Sequence, residues 1–232
     1  MNIAGNINTI LKKIPEHVKL VAVSKTKTFE DILEAYNAGQ RIFGENRVQE
    51  LMTKNDRLSK NPDTTVSPHG IGIEWHFIGH LQTNKVKYIA PFVSLIHSID
   101  SLKLLKTIDK EAAKNKRVID CLLQINISRE EIKNGLNEEE AAGLLKSGDF
   151  SHFKNIRITG LMGMATYTND ENLLRSEFKT LANLFEDLKN NYFKSKPEFK
   201  EISMGMSSDY KIAIDEGSTM VRVGSLIFGA RK

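Results

Sequence analysis

Short apolar runs rich in β-branched residues alternate with longer stretches of helical apolar spacing from Val18 to the end of the 232-residue chain. This alternation predicts βα units around a parallel sheet. The predicted strands lie at residues 18–25, 41–45, 73–79, 94–99, 117–127, 156–165, 200–206 and 220–228. Eight strands in a chain of this length favour a closed (β/α)₈ TIM barrel of the α/β class, and a doubly wound open sheet is the structural alternative.

The predicted helices lie between these strands, at residues 29–38, 48–58, 102–113, 138–146 and 172–192. Gly39 follows the first of them and Asn137 precedes the fourth, where helix stop and start signals belong. An extra helix is predicted at residues 2–13, before the first strand. The polar segment 61–72 is expected to be a surface loop. Because no linker divides the chain, we expect one domain over residues 1–232.

The composition excludes several classes of protein. The 33 lysine and arginine residues are matched by 29 acidic residues and are spread along the chain, so nucleic-acid binding is not expected. No window approaches the roughly 20 apolar residues of a membrane helix, and the N-terminus lacks the pattern of a secretory signal. We therefore expect a cytoplasmic protein. The single cysteine, Cys121, cannot form an internal disulfide or a thiolate cluster for a metal, and its apolar neighbours predict strand packing.

A lysine ends the first predicted strand, which reads Leu20-Val21-Ala22-Val23-Ser24-Lys25. In a barrel, catalytic groups come from the C-terminal ends of the strands. An ammonium in an apolar strand either reaches solvent at the rim or is neutralised, and an imine with an aldehyde cofactor would neutralise it. From this segment alone, both interpretations of Lys25 stay open.

Two later segments have the composition of a phosphate site. The first is the Gly- and Ser-rich turn at residues 203–209, where free backbone N–H groups and Ser207 can bind an anion, although a plain helix cap explains the turn alone. The second contains Arg222, Gly224 and Ser225 of the eighth strand. The loops after strands seven and eight are the usual phosphate site of this barrel. Together with the lysine, they suggest pyridoxal phosphate.

Other predicted strands carry side chains suited to an aromatic cofactor ring. Asn46 follows the second strand and His76 lies in the third, where each could hydrogen-bond or stack. Met162 and Met204 could pack against the ring. An ordinary core position is an equal alternative for His76 and the default for the two methionines.

As a set, these segments resemble the YggS/PROSC family of pyridoxal phosphate homeostasis proteins, single-domain relatives of the fold-type III barrel of alanine racemase. The resemblance rests on Ala22-Val23-Ser24-Lys25, Phe43-Gly44-Glu45-Asn46-Arg47, Trp75-His76-Phe77-Ile78-Gly79, Gly160-Leu161-Met162, Ser203-Met204-Gly205-Met206-Ser207 and Arg222-Val223-Gly224. These motifs span nearly the whole chain in the family's order.

The resemblance implies that pyridoxal 5′-phosphate (PLP) is held covalently, as a Schiff base on Lys25. It places Ser207, Arg222, Gly224 and Ser225 in segments that hold the phosphate. It further implies a role in intracellular vitamin B6 and amino-acid homeostasis without an established turnover. The partners it suggests are PLP and the PLP-dependent apoenzymes that receive it. A monomer is expected, because one barrel can hold the whole site.

A carrier and a racemase differ in what the site must contain. A racemase of this fold needs a second base opposite the lysine, usually a tyrosine, and a means of excluding water. Alanine racemases obtain these from a partner subunit and a C-terminal β domain, whereas this sequence ends four residues after the eighth predicted strand. We therefore expect a PLP carrier or regulator. A low-activity amino-acid racemase is the alternative, with Tyr167 as its candidate second base.

Overall fold

Eight parallel strands close into a barrel in sequence order in the computed structural model, which describes residues 2–60, 72–129 and 135–230. The strands are β1 Lys19–Val23, β2 Ile42–Glu45, β3 Glu74–Phe77, β4 Leu95–Ile99, β5 Ile119–Ile125, β6 Ile156–Gly163, β7 Glu201–Ser203 and β8 Met220–Val223. Pairing of β8 with β1, in the register Leu20 to Val221, closes the barrel. The predicted TIM barrel is confirmed, and the open sheet is excluded.

Helices surround the barrel. They are α1 Ile3–Leu11, α2 Phe29–Asn37, α3 Val48–Ser59, α4 Val86–Ile89, α5 Leu102–Lys114, α6 Glu138–Lys146, α7 Glu171–Tyr192, α8 Tyr210–Asp215 and α9 Ser225–Phe228. The predicted N-terminal helix is α1, and Asn137 caps α6 by accepting a hydrogen bond from the Glu140 N–H at 2.8 Å. The predicted loop at 61–72 lies outside the described residues except for Gly72. None of the helices in the described ranges is both long and apolar enough to cross a bilayer.

The eighth strand is shorter than predicted. It ends at Val223, and residues 225–228, which were expected to continue it, form α9 instead. Gly224 leaves the strand conformation with φ −120° and ψ −68°. A segment of four residues with three apolar side chains is too short to show a period that separates strand from helix, which is why the sequence alone misassigned it.

Side chains alternate between the barrel interior and the layer beneath the helices. A small interior cluster consists of Val21, Leu95, Leu122, Met162 and Met220, and the main core lies between the strands and the helices. Cys121 is fully buried in that main core, and its burial raises the pKa of the thiol, so the predicted strand packing is confirmed. The same alternation decides which residues at the strand ends face inward.

Candidate functional site

A cavity of about 500 Å³ opens at the carboxyl ends of the strands. Its lining residues lie at or after the ends of β1, β2, β3, β6, β7 and β8. The cavity brings together six of the eight predicted site residues, namely Lys25, Asn46, Ser207, Arg222, Gly224 and Ser225. This volume is typical of sites for small molecules.

Two lysines from one short segment line the cavity. Lys25 lies two residues beyond β1 and is half-buried. Val21 and Val23 of β1 face the barrel interior, and Lys25 continues this two-residue alternation, so its side chain also faces inward. Lys27 also lines the cavity, and its ammonium donates a hydrogen bond to the carbonyl of Phe228 at 2.8 Å. Lys27 therefore fastens the end of α9, next to the predicted phosphate segment.

Asn46 offers a hydrogen-bond acceptor to the cavity. Its Oδ1 atom is buried and has no hydrogen-bond partner among the described residues. Gly79 makes room for this residue, because a Cβ atom at that position would lie 2.3 Å from the Asn46 carbonyl oxygen. A buried amide oxygen without a donor is costly, so this position suits a bound molecule that supplies one.

The turn after β7 is held in a specific conformation. Gly205 has φ +92°, which favours glycine over other residues. The buried carboxylate of Asp209 accepts a hydrogen bond from the Met206 N–H at 2.5 Å, while burial raises its pKa. The hydroxyl of Ser207 accepts one from the Gly224 N–H at 3.2 Å. The turn is thereby joined to the end of β8.

The start of α9 completes this corner of the cavity. Gly224 is the N-cap of α9 and Ser225 is its first residue. The N–H groups of Ile227 and Phe228 donate to the Gly224 carbonyl at 3.0 and 2.9 Å, whereas the first two N–H groups, those of Ser225 and Leu226, have no acceptor within the helix. With the hydroxyls of Ser207, Ser208 and Ser225, they form a cluster of donors that is suited to an anion.

Arg222 carries a fixed positive charge in the cavity wall. It is 5% exposed, and its Nη1 donates to the carbonyl and hydroxyl oxygens of Ser203 at 2.7 and 2.6 Å, while Nη2 donates to the Gly163 carbonyl at 2.9 Å. These bonds use three of its five N–H groups. Burial lowers the pKa of Arg222 to about 10, which keeps it charged near neutral pH.

The family follows from comparison with known proteins. Residues 1–232 match the family model "Alanine racemase, N-terminal domain". The pyridoxal phosphate homeostasis protein of Aquifex aeolicus is 38% identical over the full length of both chains, and that of Vibrio alginolyticus is 40% identical over 94% of this chain and 89% of its own. This chain belongs to the pyridoxal phosphate homeostasis protein family. The resemblance drawn from the motifs is confirmed.

Comparison with solved structures agrees with this family assignment. PipY of Synechococcus elongatus, solved with PLP bound, superposes with a TM-score of 0.85 at 32% identity and covers 98% of this chain and 100% of its own. An alanine racemase of Clostridium difficile has a TM-score of 0.71 at 15% identity. It covers 99% of this chain and 56% of its own, and at that identity it shows a shared fold alone.

Two predicted site residues do not reach the cavity of this family member. His76 lies inside the barrel, where its Nδ1 is 3.0 Å from Nε2 of His97, and desolvation lowers its pKa to about 3. Met204 is fully buried in the main core. Alternation along the chain explains this position, because Ser203 faces the interior and the next residue faces the helices. The structure thus places both in the ordinary core positions that the sequence left open.

The sequence did not identify the apolar wall of the cavity. Ile78, Met164, Met206 and Leu226 all line it, and Ile78 takes the position expected of His76. Two-residue periodicity could have found Ile78, since it lies two residues beyond His76 on the same face.

The described residues around the cavity do not form a metal site. His76 and His80 are four residues apart, but His80 is exposed and lies 3.4 Å from Asp100, whereas His76 is inside the barrel. Across residues 2–60, 72–129 and 135–230 no group of three or more potential metal ligands occurs.

Proposed function

We propose that this chain binds PLP in the cavity, covalently through Lys25, and acts in intracellular PLP and amino-acid homeostasis. The observation that supports this proposal is the composition of the cavity. It combines Lys25, the buried oxygen of Asn46 that lacks a donor among the described residues, and the group of donors near Ser207 and Ser225 that suits an anion. PLP has an aldehyde and a phosphate on one aromatic ring, so it needs such groups on different sides of one site. PipY, which is 32% identical over 98% of this chain, binds PLP.

Each residue has a separate task in the proposed site. PLP supplies an aldehyde that condenses with a primary amine, and Lys25 supplies the amine. Ser207 and Ser225 bind the phosphate together with the first N–H groups of α9. Arg222 provides a positive charge that its hydrogen bonds hold in place. Asn46 accepts a hydrogen bond from the bound molecule.

We propose a carrier or regulator in the cytoplasm, working as a monomer that passes PLP to dependent apoenzymes. In support of a carrier, the side chains of Met164, Tyr167 and Leu226 at the mouth of the cavity are 38%, 86% and 45% exposed. A mouth as open as this suits release of a cofactor, whereas a racemase must exclude water.

A low-activity amino-acid racemase is the second candidate, because Tyr167 lines the cavity. The test has two parts. A titration of the apoprotein with PLP, followed by visible absorbance and gel filtration, should show stoichiometric uptake, and a protein that takes up no PLP contradicts the proposal. A racemisation assay over a panel of amino acids should show turnover well below about 1 s⁻¹. Faster turnover that Tyr167→Phe abolishes would establish the racemase instead.

A further inference from the structure

A buried cluster of polar residues lies behind the wall that presents Lys25 and Asn46. The cluster, called here the Lys54 cluster, consists of Ser24, Glu45, Glu50 and Lys54. Ser24 and Glu45 are fully buried and directly precede the two cavity residues in the chain. Because successive residues along a strand face opposite sides, these two point toward α3 while their neighbours face the cavity.

Lys54 ties the ends of two strands to α3. Its ammonium, on a side chain that is 8% exposed, donates to the Ser24 carbonyl at 2.7 Å, to Glu45 Oε1 at 2.8 Å and to Glu50 Oε1 at 2.6 Å. All three ammonium protons are therefore used. The Ser24 hydroxyl also donates to Glu45 Oε1 at 2.5 Å. Desolvation raises the pKa of Glu45, and the charge of Lys54 opposes that rise.

The same cluster holds the residue that follows Lys25. Thr26 has φ +65°, a left-handed conformation that is unfavourable for a β-branched residue. Its N–H donates to Glu50 Oε1 at 2.5 Å, the same oxygen that Lys54 contacts. Both chain neighbours of Lys25 are thus fixed by groups that Lys54 binds.

The backbone conformation of residues 24–27 affects which amine meets PLP, because a second lysine of this segment lines the same cavity. Lys27 is two residues beyond Lys25, and the Lys27 N–H donates to the Ser24 carbonyl at 3.0 Å, the oxygen that Lys54 also binds. Any change of backbone conformation at Ser24 or Thr26 would redirect both lysine side chains.

Resting on the proposed PLP site, we propose that Lys54 is a positioning residue for Lys25. Through the Lys54 cluster it fixes the backbone on both sides of Lys25, so that this lysine meets the aldehyde of PLP and Lys27 does not.

The experiment measures which lysine captures PLP. Wild-type protein and variants are loaded with PLP and reduced with borohydride, and the ratio of label on Lys25 to label on Lys27 is read by peptide mapping. In Lys54→Met this ratio should fall about tenfold, the effect of one charge-assisted hydrogen bond. The matched control is Lys60→Met, which removes an exposed ion pair with Asp56 from the same helix and should leave the ratio unchanged.

Lys54→Met leaves the buried Glu45 carboxylate and the partly buried Glu50 carboxylate without their cation, which could prevent folding, so a milder pair of variants is included. Glu50→Ala removes the oxygen that the Thr26 N–H and Lys54 share, and it leaves Lys54 two other partners. Asp56→Ala is its control. Glu50→Ala should lower the ratio severalfold and speed hydrogen exchange at the Thr26 amide of the apoprotein. A loss of stability alone would lower the melting temperature without moving the ratio.

The outcomes separate the two proposals. Wild-type protein that is labelled at Lys25, with an unchanged ratio in the folded variants, overturns the role of Lys54 and leaves the PLP site intact. Wild-type protein that captures no PLP overturns the proposed function, and the role of Lys54 with it.

Discussion

The two ends of the barrel present different polar groups. At the amino ends of the strands, charged side chains pair with one another: Lys19 contacts Glu201 at 2.5 Å, and Arg157 makes two hydrogen bonds of 2.7 and 3.0 Å to Asp120. At the carboxyl ends, the cavity contains the buried Oδ1 atom of Asn46, which has no hydrogen-bond partner within the described part of the chain; at the amino ends the same holds for the Thr159 hydroxyl. Groups that bind each other stabilise the fold, whereas groups left available can bind a ligand.

A buried chain of hydrogen bonds lies between these ends. Arg222 can only donate, so the Ser203 hydroxyl accepts from it at 2.6 Å and is left to donate to His97 Nδ1 at 3.0 Å. His97 Nε2 then donates to His76 Nδ1. This assignment gives each of the three hydrogen bonds one donor and one acceptor with both histidines neutral, in agreement with the lowered pKa of each.

The largest expected effect is at the carboxyl end. Lys25→Ala should abolish the visible absorbance of the PLP complex, because it removes the proposed amine and the second ammonium in the cavity, that of Lys27, is bound to the Phe228 carbonyl. At the opposite end, Lys19→Met should leave that absorbance unchanged. It should lower the free energy of unfolding by about 1 kcal/mol, since it breaks a partly exposed ion pair. Absorbance titration with PLP and urea unfolding are carried out on both variants. Equal PLP uptake by Lys25→Ala and Lys19→Met would contradict the assignment of PLP binding to the carboxyl end.

Arg222→Ala should weaken PLP retention by about 1.5–3 kcal/mol, the scale of a charge-assisted hydrogen bond. Equilibrium dialysis measures the change. The control at the amino end is Arg157→Ala, which removes the bonds to Asp120 and should not change PLP affinity. An unchanged affinity in Arg222→Ala would remove this residue from the binding site.

Acid pH should lower the free energy of unfolding through His76, inside the barrel. Its folded pKa of about 3 is below the ordinary value of 6.5, so the unfolded chain binds a proton that the folded chain does not. This contribution to stability is complete above pH 6.5 and decreases by up to about 1.4 kcal/mol per pH unit as the pH falls toward 3. Urea unfolding between pH 7 and 5 should show a smaller slope in His76→Gln than in the wild type. Parallel slopes would mean that His76 does not titrate in this way.

The smallest effect is expected at the donor corner. Ser207→Ala should reduce PLP affinity by about 1 kcal/mol, because backbone N–H groups remain to bind the phosphate. Ser151→Ala, an exposed serine away from the cavity, is the control and should change nothing. A loss as large as that in Arg222→Ala would show that the hydroxyl carries most of the phosphate binding.

Sequence reasoning located the strands well because burial on both faces makes parallel strands apolar throughout. Lys25, Asn46 and Ser207, which line the cavity, could be selected from the sequence because each lies at or directly after the end of a predicted strand. Sequence reasoning could not place His76 and Met204 correctly, since their position depends on which face of the strand is inward. The Lys54 cluster escaped notice for a different reason. Glu45 and Lys54 are nine residues apart on two elements, and only the packing of α3 against β2 brings them together.

The most direct test of the account is borohydride reduction of the PLP-loaded wild-type protein, followed by peptide mapping of the modified lysine. Both Lys25 and Lys27 line the cavity, so the measurement decides between two amines at one site. The account predicts one labelled peptide, modified at Lys25. Label on Lys27, or on a lysine at the amino end of the barrel, would contradict it.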